Sequence, residues 1–357
     1  MENNVGVKSI GVKCPIIREG DNLVDIVFNS IKESGIVLQD KDVIGITESI
    51  VARACGNYAT IQDIAESVRD LFKDHSRFDR IILLNPIYSR NRFAMILKGI
   101  ARVAEEVYIV MGDIDEVGNV RDNHPFTGMN YGEYYAQICH DAGAVAHIVT
   151  DGMPSLHISD TDYVIDCSLH HRIDPTRNKY KARIKFLYDI LSDKCEYGVL
   201  GSNKATETKI KLFPNHEQCM DLLNGLVSKI KSEMGVSVEA MVYGDGCFKS
   251  PIGGIWEFAD PVTSPGYTAG LEGFPNEIKI KAFADDKYAH MNGAELDEAI
   301  REEIKNAASS NLKGKMASQG TTPRKLTDLL ASLMDLTSGS GDKGTPVVVV
   351  QNYFKKF

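Results

Sequence analysis

Two acidic turns carry the residue types that suit hard-cation and phosphate chemistry. Gly112-Asp113-Ile114-Asp115-Glu116 follows the strand-like run Val107 to Met111, and Gly244-Asp245-Gly246 follows Val238 to Tyr243. A carboxylate fixed at a strand end, beside glycines that admit a ligand, can coordinate Mg2+ or Mn2+. The same dipeptides also make ordinary turns, which is the competing reading. A third candidate is Thr337-Ser338-Gly339-Ser340-Gly341-Asp342-Lys343-Gly344-Thr345, which runs into the apolar strand Pro346 to Gln351. Its backbone N–H groups and Lys343 can cradle phosphates. It lacks the P-loop order and precedes a strand where a P-loop opens a helix, so a surface turn stays open as the alternative.

Basic side chains gather at Arg90 and Arg92, where a strand ends and a helix starts, and could hold an anionic substrate. A solvated first turn explains them equally well. Gly201 to Glu207 is a second candidate, read as a helix cap beside Lys204 in preference to a phosphate-binding turn. Cys167 and His170 have a spacing seen in zinc sites, but no CxxC or HxxxH completes a tetrahedral set, which favours a structural or substrate-contact role. Trp256 reads as core packing.

Alternating strand and helix patterns must position these groups. Val43 to Ile46, Arg80 to Leu84, Val107 to Met111, Ala144 to Val149, Tyr163 to Asp166, Val238 to Tyr243 and Val347 to Gln351 read as strands. Helical spacing appears at 60–71, 93–100, 131–141, 179–191, 216–234, 277–288, 294–307 and 324–336, with Thr60 and Asp63 at capping-box spacing. The expected fold is α+β, with mixed sheets flanked by helices. No repeat period is visible.

The formal net charge of −9 argues against a broad nucleic-acid footprint. Seven cysteines form no paired framework, as in a reducing compartment, so a cytoplasmic location is expected. The first residues lack a signal-peptide pattern and no apolar run reaches membrane-spanning length, so no membrane partner is expected.

Together these segments resemble the coenzyme F420-0:gamma-glutamyl ligase family. The matching stretches are Cys14-Pro15-Ile16-Ile17-Arg18-Glu19-Gly20-Asp21-Asn22-Leu23, Asp42-Val43-Ile44-Gly45-Ile46-Thr47-Glu48-Ser49-Ile50-Val51-Ala52-Arg53-Ala54-Cys55-Gly56, Asp113 to Asn119, Val242 to Gly246, and Leu326 through Val350. The resemblance implies nucleotide contacts from Cys14, Pro15, Ile16, Ile17, Ser49, Arg53, Asn119 and the Gly339 to Thr345 loop. It implies metal ligation and catalysis by Asp115 and Asp245, with Asp342 substituting for a family glutamate that is Ser340 here. Where the family has an S-T pair and a lysine, this chain has Glu48-Ser49 and Arg53.

The implied reaction is GTP- or ATP-dependent joining of glutamate to a carboxylate, F420-0 or a folate-type acid, through an acyl phosphate, with Mg2+ or Mn2+, in an intertwined homodimer. A metal-dependent nucleotide hydrolase and a non-catalytic nucleotide-binding regulator are the alternatives. The implied division is a nucleotide- and metal-binding part over 1–120, an inserted substrate region over 121–236, and a part completing the ligase fold over 237–357.

Overall fold

A computed structural model describes residues 5–74, 76–88, 91–116, 118–125, 127–150, 156–159, 161–168, 183–245, 262–273, 283–307, 325–338 and 344–354. Its first sheet joins segments from both ends and the middle of the chain. The order is β1 (Lys8–Val12), β13 (Val347–Gln351), β2 (Val43–Thr47), β11 (Glu239–Asp245) and β12 (Val262–Tyr267). β2 and β11 run parallel, and the other pairs are antiparallel.

Alternation along these strands feeds two cores. Ile44, Ile46, Ala240, Val242, Val347 and Val349 face α1 (Leu23–Glu33) and α6 (His216–Met234). Val43, Met241, Tyr243, Val348 and Val350 face α8 (Leu326–Ser338). Burial on both faces explains why β13 reads VVVVQ instead of alternating with polar residues.

The second sheet is wholly parallel, in the order β6 (Val145–Val149), β5 (Ala104–Val110), β4 (Phe78–Leu84), β7 (Tyr163–Asp166), β8 (Arg183–Phe186). Ile81, Leu83, Val107 and Ile109 share a core with α3 (Ile61–Phe72), α4 (Asn91–Ala101) and α5 (Tyr131–Asp141). Ile82, Val110 and Val164 turn the other way, onto Ile158.

A small antiparallel sheet, β3 (Tyr58–Thr60), β10 (Lys209–Leu212) and β9 (Ser202–Lys204), lies between α2 (Glu48–Ala54), which β10 touches, and α4, which β9 touches. Towards the C-terminus, α7 (Gly293–Ala307) lies beside a π-helical turn at Phe283–Lys287. No described helix is long and apolar enough to cross a membrane.

The capping box at α3 forms as its spacing predicts. Thr60 Oγ1 accepts from the Asp63 N–H, and Asp63 Oδ2 accepts from the Thr60 N–H at 2.6 Å. Partial burial would raise the Asp63 carboxyl, but bonds from the Lys194 ammonium and from Thr60 outweigh it and hold it at about 2. The folded-state pKa is thus depressed, so the stability it contributes is present above the unfolded carboxylate range and fades as pH falls from about 4 toward 2. Asp63→Asn is expected to lower unfolding free energy by about 1 kcal/mol near neutral pH, with the deficit vanishing near pH 2, in urea melts at several pH values.

Two expectations are corrected. Residues 183–186 of the helix expected over 179–191 form the edge strand β8, because Ile184 and Phe186 alternate with Arg183 and Lys185 and pair in parallel register with β7. Gly201 to Glu207 is no helix cap: it enters β9 and the turn to β10, with Thr208 donating back to Thr206 Oγ1. In the second sheet, β4 and β5 precede residue 120 and β6, β7 and β8 follow it. Of the helix expected over 277–288, the described part is the π-helical turn.

Candidate functional site

The parallel pair β2 and β11 ends at Thr47 and at Tyr243-Gly244-Asp245, and a cavity of about 540 Å³ opens where these ends meet. α2 starts directly after Thr47 and turns Ser49, Ile50 and Arg53 toward it. Cys14 to Ile17, following β1, forms a second wall. Asn203 of β9 and Lys211 of β10 form a third, and Asp335 and Ser338 of α8 with Gly344, Thr345 and Pro346 close the rest.

Hydrogen bonds tie these separate segments together. Arg53 Nε donates to the Ile17 carbonyl at 3.0 Å, and the Gly20 N–H donates to the Ala54 carbonyl at 2.9 Å, so α2 anchors the N-terminal wall. The Cys14 N–H donates to the Gly344 carbonyl at 3.3 Å, and the Thr47 N–H to the Pro346 carbonyl at 2.9 Å. Thr345 Oγ1 donates to the Ser338 carbonyl at 2.9 Å. Glu48 is buried, and its Oε1 accepts from Asn203 Nδ2 at 3.1 Å. Lys211 Nζ donates to Ser49 Oγ.

Burial raises the Cys14 thiol, with a smaller opposing effect from Ser30, which keeps it protonated at neutral pH. Ile16 is 81% exposed, an apolar group at the rim. The site therefore pairs two cations, Arg53 and Lys211, with two carboxylates, Glu48 and Asp335. That set suits a polar, phosphate- or carboxylate-bearing small molecule.

Of the residues expected at the site, Cys14, Pro15, Ile16, Ile17, Ser49, Arg53, Gly344 and Thr345 line this one cavity. Asp245 directly follows the lining residue Gly244 along β11. Arg90 and Gly339, Ser340, Gly341, Asp342 and Lys343 lie outside the described residues, as do His170 and Trp256.

Asp115 and Asn119 do not join the cavity lining. They sit beyond β5 of the parallel sheet, where Asp115 Oδ2 accepts from the Tyr88 N–H at 2.8 Å and Asn119 Nδ2 at 2.9 Å, while Oδ1 accepts from the Asn119 N–H at 2.8 Å. These bonds shape the turn after β5. Arg92 is also elsewhere, buried at the start of α4 with Nη1 donating to the Leu200 carbonyl.

Sequence reading missed Asn203, Lys211 and Asp335 as site residues. Asn203 and Lys211 reach the cavity only through the β9–β10 pairing, and their one local signal is the alternation of Lys209, Ile210, Lys211 and Leu212. Asp335 lies on the helix leading into the glycine-rich loop.

Among the described residues no group of three or more His, Cys, Asp or Glu side chains is arranged to hold a metal ion. Cys167 is packed in the core, where burial pushes its thiol well above its ordinary range.

Arg53→Ala is expected to free the Cys14 to Ile17 wall and, on the nucleotide contact that the family resemblance implies for Arg53, to raise the KM for nucleotide about tenfold with a smaller change in kcat. Steady-state kinetics with varied nucleotide check this, and an unchanged KM contradicts it.

Fold and cavity together define an α+β protein with a cavity of charged and apolar lining at the meeting of distant chain segments. The chain belongs to the F420-0:Gamma-glutamyl ligase family, whose family model matches residues 11–352. A stretch of 64 residues is 34% identical to Coenzyme F420:L-glutamate ligase of Methanothermobacter thermautotrophicus. That stretch is 18% of this chain and spans a quarter (25%) of the length of the relative.

Proposed function

We propose that this chain is a nucleotide-dependent gamma-glutamyl ligase that joins L-glutamate to a carboxylate of the F420-0 type. The observation that carries the reading is the gathering of Cys14 to Ile17, Ser49, Arg53, Lys211, Asp335 and Gly344-Thr345 around one cavity in a chain of this ligase family.

A carboxylate resists amine attack at neutral pH because its leaving group would be an oxide. Phosphoryl transfer from GTP or ATP gives an acyl phosphate and a nucleoside diphosphate. The neutral amine of glutamate then attacks the acyl carbon, the C–O bond to phosphate breaks, and the products are an amide and inorganic phosphate.

Arg53 and Lys211 offset phosphate charge in this scheme. The proton lost by the amine goes to a carboxylate of the wall, Glu48 or Asp335. A bound Mg2+ or Mn2+ would supply further charge compensation on phosphate oxygens. The described side chains do not make a complete donor set for it. Asp245, next to the lining residue Gly244, and Asp342 remain the proposed donors, with Asp115, outside the cavity lining, a third whose oxygens already accept three N–H bonds.

The test is nucleoside diphosphate release with GTP or ATP, Mg2+ or Mn2+, and F420-0 or a folate as acceptor, with and without L-glutamate. Release that depends on both acceptor and glutamate, with an amide product by mass spectrometry, is expected. Phosphate release indifferent to glutamate would identify a hydrolase instead, and tight binding without turnover a regulator. A cytoplasmic homodimer is part of the same reading, with dimerisation checked by sedimentation.

A further inference from the structure

Every organic molecule that the proposed reaction brings to the cavity is an anion overall: a nucleoside triphosphate, an acceptor carboxylate and L-glutamate. Arg53 and Lys211 suit that load, but Glu48 does not. A carboxylate fixed in the lining repels phosphates and carboxylates alike, and among the groups of these reactants it attracts only the ammonium of glutamate.

The setting of Glu48 is fixed from three sides. It opens α2, is 3% exposed and still lines the cavity, whereas Asp335, the other lining carboxylate, is half-buried. Its stem crosses the end of β11 at Gly244, where a Cβ would stand 2.1 Å from Glu48 Cγ, so glycine is what leaves it room. Asn203 Nδ2 donates to Oε1 at 3.1 Å and fixes the rotation of the carboxylate.

The register of the small sheet sets this carboxylate beside a cation. Asn203 of β9 and Lys211 of β10 are directly opposed partners in an antiparallel pair, so their side chains leave the same face about 5 Å apart. One reaches Glu48 and the other Ser49, consecutive residues of α2. An ammonium held at Glu48 is therefore a neighbour of a phosphate held at Lys211. Amide synthesis from an acyl phosphate requires that arrangement, since amine and acyl carbon must approach to about 3 Å before they react.

We propose that Glu48 and Asn203 form the amino-donor subsite of this cavity: Glu48 accepts from the α-ammonium of the incoming amino acid, and Asn203 is a positioning residue for the Glu48 carboxylate. The choice of ligand rests on the ligase reading, and Glu48, not Asp335, becomes the carboxylate that meets the amine. Glutarate, which keeps both carboxylates of glutamate and lacks the amine, is then a poor ligand.

The test is calorimetric titration of the full chain, holding Mg2+ and a non-hydrolysable GTP or ATP analogue, with L-glutamate and with glutarate. The parent is expected to bind L-glutamate about tenfold or more tighter than glutarate. Glu48→Gln keeps the side-chain length and an oxygen for Asn203 but loses the charge. It should bring the two affinities within about twofold of each other while the analogue binds as in the parent. Asn203→Ala should narrow the preference several-fold, also at unchanged analogue affinity, whereas a merely structural loss would weaken all three ligands together. If thermal melting shows Glu48→Gln unfolded, Asn203→Ala decides. Equal affinities in the parent, no binding of glutamate, or a preference undiminished in the variants overturns the subsite. Weakened analogue binding in folded Glu48→Gln that added Mg2+ restores assigns the carboxylate to the metal and overturns it too. Amide formation by the parent with F420-0 or a folate judges the ligase reading separately. Turnover with a failed titration removes the subsite and leaves the ligase, and a successful titration without turnover leaves an amino-acid site and removes the ligase.

Discussion

Lys211→Met is expected to cut kcat/KM for glutamate-dependent nucleotide turnover by about a hundredfold or more while leaving the unfolding midpoint nearly unchanged. The asymmetry follows from position. β10 buries Ile210 and Leu212, while Lys211 turns to the cavity and meets Ser49 Oγ. Methionine keeps the unbranched apolar stem and removes only the charge, so packing persists and phosphate loses its cation. Loss of a contact made equally in ground and transition states would raise KM alone, whereas a contact that strengthens as charge develops lowers kcat too. Varied-nucleotide kinetics separate these cases. Activity within a few-fold of the parent would remove Lys211 from the proposed chemistry.

Gly244→Ala should damage both stability and turnover through one steric conflict. A Cβ at Gly244 would lie 2.1 Å from Glu48 Cγ and 3.1 Å from its Cβ. Glu48 sits in the first turn of α2, so it has little freedom to withdraw, and its Oε1 would leave Asn203. Overpacking of this kind costs about 2 kcal/mol, measurable by denaturant unfolding. The double variant Gly244→Ala with Glu48→Ala removes the Cγ at 2.1 Å, leaving only the 3.1 Å Cβ contact, and should be more stable than Gly244→Ala alone. If it is less stable, the clash is not the cause.

Local signals served well wherever the structure is built from local rules. Thr60 and Asp63 announced the start of α3 because a capping box is closed by the residues that spell it. Val43 to Ile46 and Val347 to Gln351 read as strands because both lie in a sheet covered on its two faces. Arg183 to Phe186 was misread because a short run of alternating charge and bulk becomes a strand only when β7 offers an open edge. Half of the cavity was legible through the family resemblance instead. Ser49, Arg53 and Cys14 to Ile17 were singled out, while Asn203 and Lys211 were not, since nothing near them in sequence marks a hairpin that docks on α2. Asp115 lies in another setting, after β5, where its oxygens accept from Asn119 and the Tyr88 N–H, a bonding pattern that no spacing in the sequence announces.

The place of β13 in the first sheet bears on how the protein comes into being. Residues 347–351 lie between β1 and β2, both of which precede the parallel sheet along the chain, and form hydrogen bonds to both. A nascent chain emerging from the ribosome can assemble the parallel sheet from residues 78–186, but it must hold β1 and β2 apart until residue 351 has been made. During that interval two apolar strands are exposed to the wrong neighbours, and long-range closure of this kind is slow. Because Pro346 and Thr345 bound the cavity, a molecule that stalls before β13 docks also lacks a finished ligand site.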